Sequence, residues 1–186
     1  EGRLTEFVQD ANLSAVKTSV SYADPTEGNE ASSVTITMAN GTKSRTVTNL
    51  SGQVISESTI GNAADGEITK TYGYAEDGTL SKETDAAGNY RTYEYDSLDR
   101  EIAINYFDAA GAQTLRTEFS YDTGGNVSEM KDYAFESGSK TLYRWTETRY
   151  DESGNLISEA EVSCEGAQPS EGQLAARRIT YAYDND

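Results

Sequence analysis

The chain contains no histidine, which removes the commonest acid–base side chain and every histidine-based metal or nucleophile arrangement. The chemistry left to it is that of carboxylates, tyrosines, one tryptophan and one cysteine. With 32 Asp and Glu residues, carboxylate pairs are plentiful, and glycoside hydrolysis needs only two at a defined separation. A solvated sheet face rich in acids produces such pairs by accident, so no residue is assigned a catalytic role and the chain reads as a non-enzyme. Asp-rich turns offer oxygen ligands to calcium. Neither a full EF-hand loop nor a Gly-Gly-x-Gly-x-Asp repeat is present, and each Asp already has a turn to build; no metal and no cofactor are expected. Cys164 is alone, which excludes an internal disulfide framework.

The aromatic residues are the better binding candidates. Rings stack on sugar faces while hydroxyl and indole tips form hydrogen bonds. Trp145, Tyr143, Tyr93, Tyr95 and Tyr121 are the residues most suited to contact a ligand, with Trp145 the first to mutate. The competing role is structural. Tyrosine is a good strand former, and cross-strand aromatic pairs contribute roughly 0.2–1 kcal/mol each.

The elements that hold these residues are repeated. Tyr-Asp recurs at Tyr95-Asp96, Tyr121-Asp122, Tyr150-Asp151 and Tyr183-Asp184, with a blurred copy at Tyr74 to Asp77. The Asp-x-x-Gly-Asn turn recurs from Asp85 to Asn89, Asp122 to Asn126 and Asp151 to Asn155. Such self-similarity dominates any other fold signal. Glycines keep the rhythm, and Asp96 to Arg100 is a turn lacking its Gly. The expected unit is a type I turn followed by a left-handed residue, which closes a hairpin with a bulge. The Asp opening each turn bonds backbone N–H groups two residues on.

Between turns the chain alternates. Ile102, Ile104 and Tyr106 share one face, as do Leu115, Thr117, Phe119 and Tyr121. Leu142, Arg144, Thr146, Thr148 and Tyr150 oppose Tyr143, Trp145, Glu147 and Arg149, and Leu156, Ser158, Ala160 and Val162 oppose Ile157, Glu159 and Glu161. Period-2 alternation with one wet face is the antiparallel pattern. Asn40-Gly41 signals a type I′ hairpin, and residues 165–175 read as a long hairpin loop. Residues 4–13 admit a short helix or a strand, residues 14–22 a strand, and residues 24–29 a loop. Tyr-Asp pairs grow further apart along the chain, so later hairpins should be longer. The expected fold is all-β, a long antiparallel β-meander of repeated hairpins forming a single curved sheet or partial shell. An irregular segment with some strands spans 1–42, and the repeat meander 43–186.

The totals agree with a thin sheet. Hydrophobic residues make up 35% of the chain, low against a usual ~45–50%, so a thick core is hard to fill. A net charge of −17 argues against nucleic acid, which needs a cationic footprint, and against anionic membrane surfaces. No run approaches the ~18 apolar residues of a membrane span. The opening at Glu1 and the stop just after Tyr183-Asp184 read as a segment of a longer repeat series.

Tyr93-Glu94-Tyr95-Asp96 and Asp151-Glu152-Ser153-Gly154-Asn155-Leu156 resemble the YD repeat of the bacterial RHS family, related to repeats in wall-associated bacterial proteins and animal teneurins. The resemblance covers roughly residues 65–186, with echoes from about 43. It departs from the pattern in unit length and in units lacking the Tyr-Asp or the Gly, and no RHS core region, self-cleavage site or toxin domain is recognisable. The resemblance implies a secreted or cell-surface bacterial module that binds carbohydrate or cell-wall polymer as an adhesive scaffold. Its alternative is a structural piece of a shell enclosing a toxin, whose partners would be flanking repeats or a cargo domain of the same chain.

Overall fold

The computed structural model describes residues 5–9, 16–23, 32–61 and 66–183; the loop expected at 24–29 lies outside the described residues. The chain forms two compact units, Glu1–Gly88 and Asn89–Asp186. The first holds β1 (Glu6–Gln9), β2 (Val16–Ala23), β3 (Ser32–Thr37), β4 (Lys43–Thr48), β5 (Val54–Ile60), β6 (Glu67–Tyr74) and β7 (Leu80–Thr84). The second holds β8 (Tyr90–Tyr95), β9 (Glu101–Phe107), β10 (Gln113–Tyr121), β11 (Val127–Glu136), β12 (Ser139–Tyr150), β13 (Leu156–Ser163), α1 (Glu171–Arg177) and β14 (Ile179–Thr180). Within each unit the strands lie in the sheet in chain order, each antiparallel to the next. The all-β meander expected from the alternation is what the chain builds. Over residues 6–9 the strand, not the helix, is adopted, because Glu6 to Gln9 pair with Ser19 to Val16.

The turns follow from five residues each. In the turn from Asp122, Gly125 N–H donates to the Asp122 carbonyl at 3.1 Å and Asp122 N–H to the Asn126 carbonyl at 2.9 Å. The turn from Asp151 repeats this at 3.0 and 2.9 Å, with Gly154 at φ +81°, a region open to glycine at no steric cost. The glycine-less turn puts Asp99 there instead, at φ 58°; Asp tolerates the left-handed region better than most residues. A register shift accompanies these turns, between Val47/Thr48, Gly73/Tyr74, Glu94/Tyr95, Ser120/Tyr121 and Arg149/Tyr150. That is the expected bulge.

Two hairpins differ from expectation. Asn40-Gly41 is not a type I′ turn: Gly41 has φ 85°, but Asn40 is not among the positive-φ residues. Gly41 N–H instead donates to the Met38 carbonyl at 2.9 Å, and Met38 N–H to Thr42 at 2.8 Å, the same turn-plus-bulge as elsewhere. Positive φ at both central residues occurs at Ser137 (50°) and Gly138 (82°), where Glu136 faces Ser139 directly and a two-residue turn is required.

Strands lengthen along the second unit, from 6 residues in β8 through 7, 9 and 10 to 12 in β12, as the widening Tyr-Asp spacing predicts. The last spacing grows for another reason. The stretch expected as a loop at 165–175 contains α1, whose start is a capping box: Gln173 N–H donates to Ser170 Oγ at 3.3 Å, and Ser170 N–H to Gln173 Oε1 at 2.8 Å. The Ser-x-x-Gln spacing is a helix-start signature, outweighed at sequence level by the surrounding Gly and Pro.

The core of the second unit sits beneath α1. Leu142, Trp145, Ala160, Val162 and Leu174 form one buried cluster, with Tyr133 and Cys164 packed against it. Strict alternation puts Leu142 and Trp145 on opposite faces; the structure puts both in the core. Asp132 faces Arg144 while Tyr133 faces Leu142, so Tyr143 is an extra, bulged residue that reverses the alternation. The expected alternation holds for β13, where Ser158, Ala160 and Val162 are buried.

Candidate functional site

Three of the repeat tyrosines work as hairpin clasps. Tyr74 at the end of β6 donates its hydroxyl to the carbonyl of Val54, the first residue of β5, at 2.8 Å. Tyr121 at the end of β10 does the same to Glu101, the first residue of β9, at 2.6 Å. Tyr183 reaches Leu156 at the start of β13 at 2.8 Å. In the β11–β12 hairpin the carbonyl of Val127 is instead taken by Thr148 Oγ1, two residues before Tyr150. A register shift lies beside the clasp tyrosine at Tyr74 and at Tyr121.

The Asp half holds the turn. Asp151 Oδ1 accepts from the N–H groups of Ser153 and Asn155, both at 2.9 Å, and Oδ2 from the Asn155 amide at 3.0 Å. Asp122 receives Asn126 through backbone and amide at 2.9 and 3.2 Å. In the turn from Asp96, Arg100 replaces the Asn, donating N–H at 3.1 Å and Nε at 2.8 Å. The Asn after the Gly is thus the closing donor of the turn. Hydrogen bonds to the ionised form hold these carboxyls below the usual carboxylate range: from the Asn155 amide first for Asp151, from the Asn126 backbone for Asp122 and from the Arg100 side chain for Asp96.

The aromatic candidates are not brought together. Tyr93 faces Ile104 across β8–β9, whereas Glu94, Ala103, Glu118, Lys131, Trp145 and Val162 are successive cross-strand partners on the opposite face. Trp145 is only 4% exposed, so it lies in the core rather than at a stacking surface. The Lys131 ammonium stands 4.1 Å from its ring centroid, and its Nε1–H has no partner among the described residues. Arg100 lies 4.3 Å over the Tyr121 ring and Arg91 5.6 Å over that of Tyr93; such contacts are worth ~0.5–1 kcal/mol at exposed sites. Tyr95 is half-buried opposite Glu101. Tyr143, on its bulge, is 38% exposed.

Sequence reasoning missed the cations. Arg116 organises a polar network on the Trp145 face: Nη1 and Nη2 donate to Glu94 at 2.6 and 3.0 Å, Nη1 also to Asn105 at 2.7 Å, and Nε to Glu118 at 2.8 Å. Lys140 joins at Glu118 (2.8 Å) and covers the Tyr133 ring at 3.7 Å. The Arg116 hydrogen bonds hold Glu94 low; burial pushes Glu118 up, but Lys140 and Arg116 outweigh it and its carboxyl is lowered. Long side chains folded over the sheet leave Ala103 fully buried and Asn105 nearly so. The tightest positions of β9 are therefore opposite the Ile102–Ile104 face that its alternation marks as apolar. Among the described residues no group of His, Cys, Asp and Glu side chains is arranged to hold a metal. No helix there is long and apolar enough to cross a membrane.

The RHS Repeat family model matches residues 74–110, which begin at the clasp Tyr74 and include the Tyr95-Asp96 turn. Over those residues the chain is similar to the RHS repeat. No curated protein matches the chain. Among solved structures the chain is similar to that titled TcdB2-TccC3-TEV, with 15% identity over 85% of this chain and 11% of that one, TM-score 0.49. Another is TcdB2-TccC3-Cdc42, with 16% identity over 91% of this chain and 12% of that one, TM-score 0.36. The chain spans about a tenth of the length of either.

Proposed function

We propose that this chain is a non-enzymatic, structural segment of an RHS-type shell in a secreted or surface-attached bacterial protein, enclosing another polypeptide domain. The observation that carries this reading is the engagement of the tyrosines by the chain itself. Tyr74, Tyr121 and Tyr183 donate their hydroxyls to strand-start carbonyls, and the Tyr121 and Trp145 rings lie under Arg100 and Lys131. Groups committed to holding hairpins in series are scaffold. The shell reading also has a use for the half-buried apolar face of Tyr93, Ile102, Ile104, Phe119 and Met130, which a flanking polypeptide would cover. The test is limited proteolysis of the full reading frame. A flanking domain should resist digestion in the intact protein and lose that protection when Ile104 and Phe119 are both changed to Glu. A flanking domain cut equally fast with and without this segment would refute the enclosure.

Carbohydrate or cell-wall binding is the second reading, favoured by one observation: Tyr143 projects from a bulge at 38% exposure. It requires retention on a glycan array or a cell-wall preparation that Tyr143→Ala removes.

A further inference from the structure

Among the described residues the outer edge of β13 is paired over only part of its length. β12 faces it over Leu156–Ser163, but β14 meets it only at Ser158 and Glu159, opposite Thr180 and Ile179. Beyond that point the partner chain has turned into α1. Backbone direction alternates along a strand and can be fixed here from both sides. Cys164 N–H donates to the Tyr143 carbonyl at 2.8 Å, which places even-numbered residues toward β12. The Ile157 carbonyl accepts from Tyr181 N–H at 2.9 Å, which places odd-numbered residues toward β14. The N–H and C=O groups of Glu161 and Ser163 therefore point off the sheet, into the space β14 does not reach, and both residues are exposed.

That space is a groove of about 410 Å³ lined by Glu161, Val162, Ser163, Gln173, Ala176 and Arg177. Its floor is the unpaired edge and its wall is α1. Two outward backbone pairs one strand period apart, ~7 Å, match the spacing of another extended chain, as in strand addition to a sheet edge. Arg177 is exposed on the wall and has no ion pair among the described residues. We propose that the β13 edge beside α1 is a strand-addition site for an extended peptide carrying an acidic side chain, which pairs with Glu161 and Ser163 through its backbone and with Arg177 through its carboxylate. A second copy fits poorly. Each chain carries a net −17, so two copies repel one another.

The probes are fluorescein-labelled hexapeptides of alternating Val and Thr, with one Asp placed at each position in turn, read by anisotropy and by protein amide shifts. Binding should shift the amides of Glu161, Val162, Ser163, Ala176 and Arg177, and Arg177→Ala should weaken it ~2–5-fold, the range of an exposed ion pair. Ser163→Pro removes an outward N–H that β12 does not use, which an edge strand tolerates, and should abolish binding. A hexapeptide N-methylated at alternate residues tests the same point on the unaltered protein and should not bind. The proposal is overturned if no amide in the groove moves at millimolar peptide, or if the N-methylated peptide binds equally well. It also fails if the protein dimerises and Ser163→Pro restores the monomer, which would assign the edge to a second copy.

Discussion

Leu174→Ala should release α1 and uncover Trp145 without unfolding the sheet. Leu174 is 6% exposed and is the only buried residue of the helix. Truncating a buried Leu to Ala costs about 2–5 kcal/mol, from lost transfer free energy and the cavity left behind. α1 has 7 residues, well under the ~12–15 at which an isolated helix is even marginal in water. What then holds it is the Ser170 capping box, worth ~0.5–2 kcal/mol, and the Arg178 contacts to Glu147 at 2.9 Å and Glu171 at 3.2 Å. A loss of 2–5 kcal/mol equals or exceeds those anchors, so a local opening is expected, with the strand ladders intact. The chain has one tryptophan, so its fluorescence reads this site alone. Native emission should be blue-shifted and resistant to acrylamide. Leu174→Ala should move it to the red and raise quenching several-fold while far-UV circular dichroism stays that of a sheet. Unchanged quenching would refute the claim that α1 covers Trp145, and loss of the far-UV signal would refute the claim that α1 opens independently.

Tyr121→Phe deletes one clasp bond to the Glu101 carbonyl and should destabilise by ~1 kcal/mol, the net worth of a typical hydrogen bond, read as a lower urea midpoint at constant slope. Tyr72 donates to Glu57 Oε2 at 2.6 Å, and that hydrogen bond, with desolvation, pushes its phenol up to about 12. Because the folded value is raised, this contribution is full below the ordinary 10.0 and is lost as pH climbs toward 12. Glu57→Gln should bring the Tyr72 phenolate absorbance transition back down toward its ordinary range. For the turn carboxyls the sign is reversed. Asp151 lies below its ordinary 3.8, so its contribution is full above that value and is lost as pH falls through the folded one. Asp151→Asn keeps an acceptor but no titration, and its acid denaturation curve should be shallower below pH ~4 than that of the native chain.

The turns were legible in the sequence because every interaction that makes them lies within five residues. Asp151 meets Ser153 and Asn155, and the left-handed position follows at Gly154; chain neighbours cannot be separated by register. The alternation that makes strands is equally local, and with repeated turns it leaves an antiparallel meander as the simple solution. Even the glycine-less turn at Asp99 could be placed by phase alone.

Only the tertiary structure decided which residues those strands bring into contact. The bulge at Tyr143 moves Trp145 into the core, and local alternation has no term for an extra residue that the partner strand imposes. Arg116 finds Glu94 and Lys140 finds Glu118, each 22 positions away in the chain, through register alone. The helix carried its capping box in the sequence, yet what fixes α1 is Leu174 over Trp145, a contact between segments that neither specifies by itself. The rings of Tyr121, Tyr133 and Trp145 stand out in the sequence as free because Arg100, Lys140 and Lys131 reach them only across the strands.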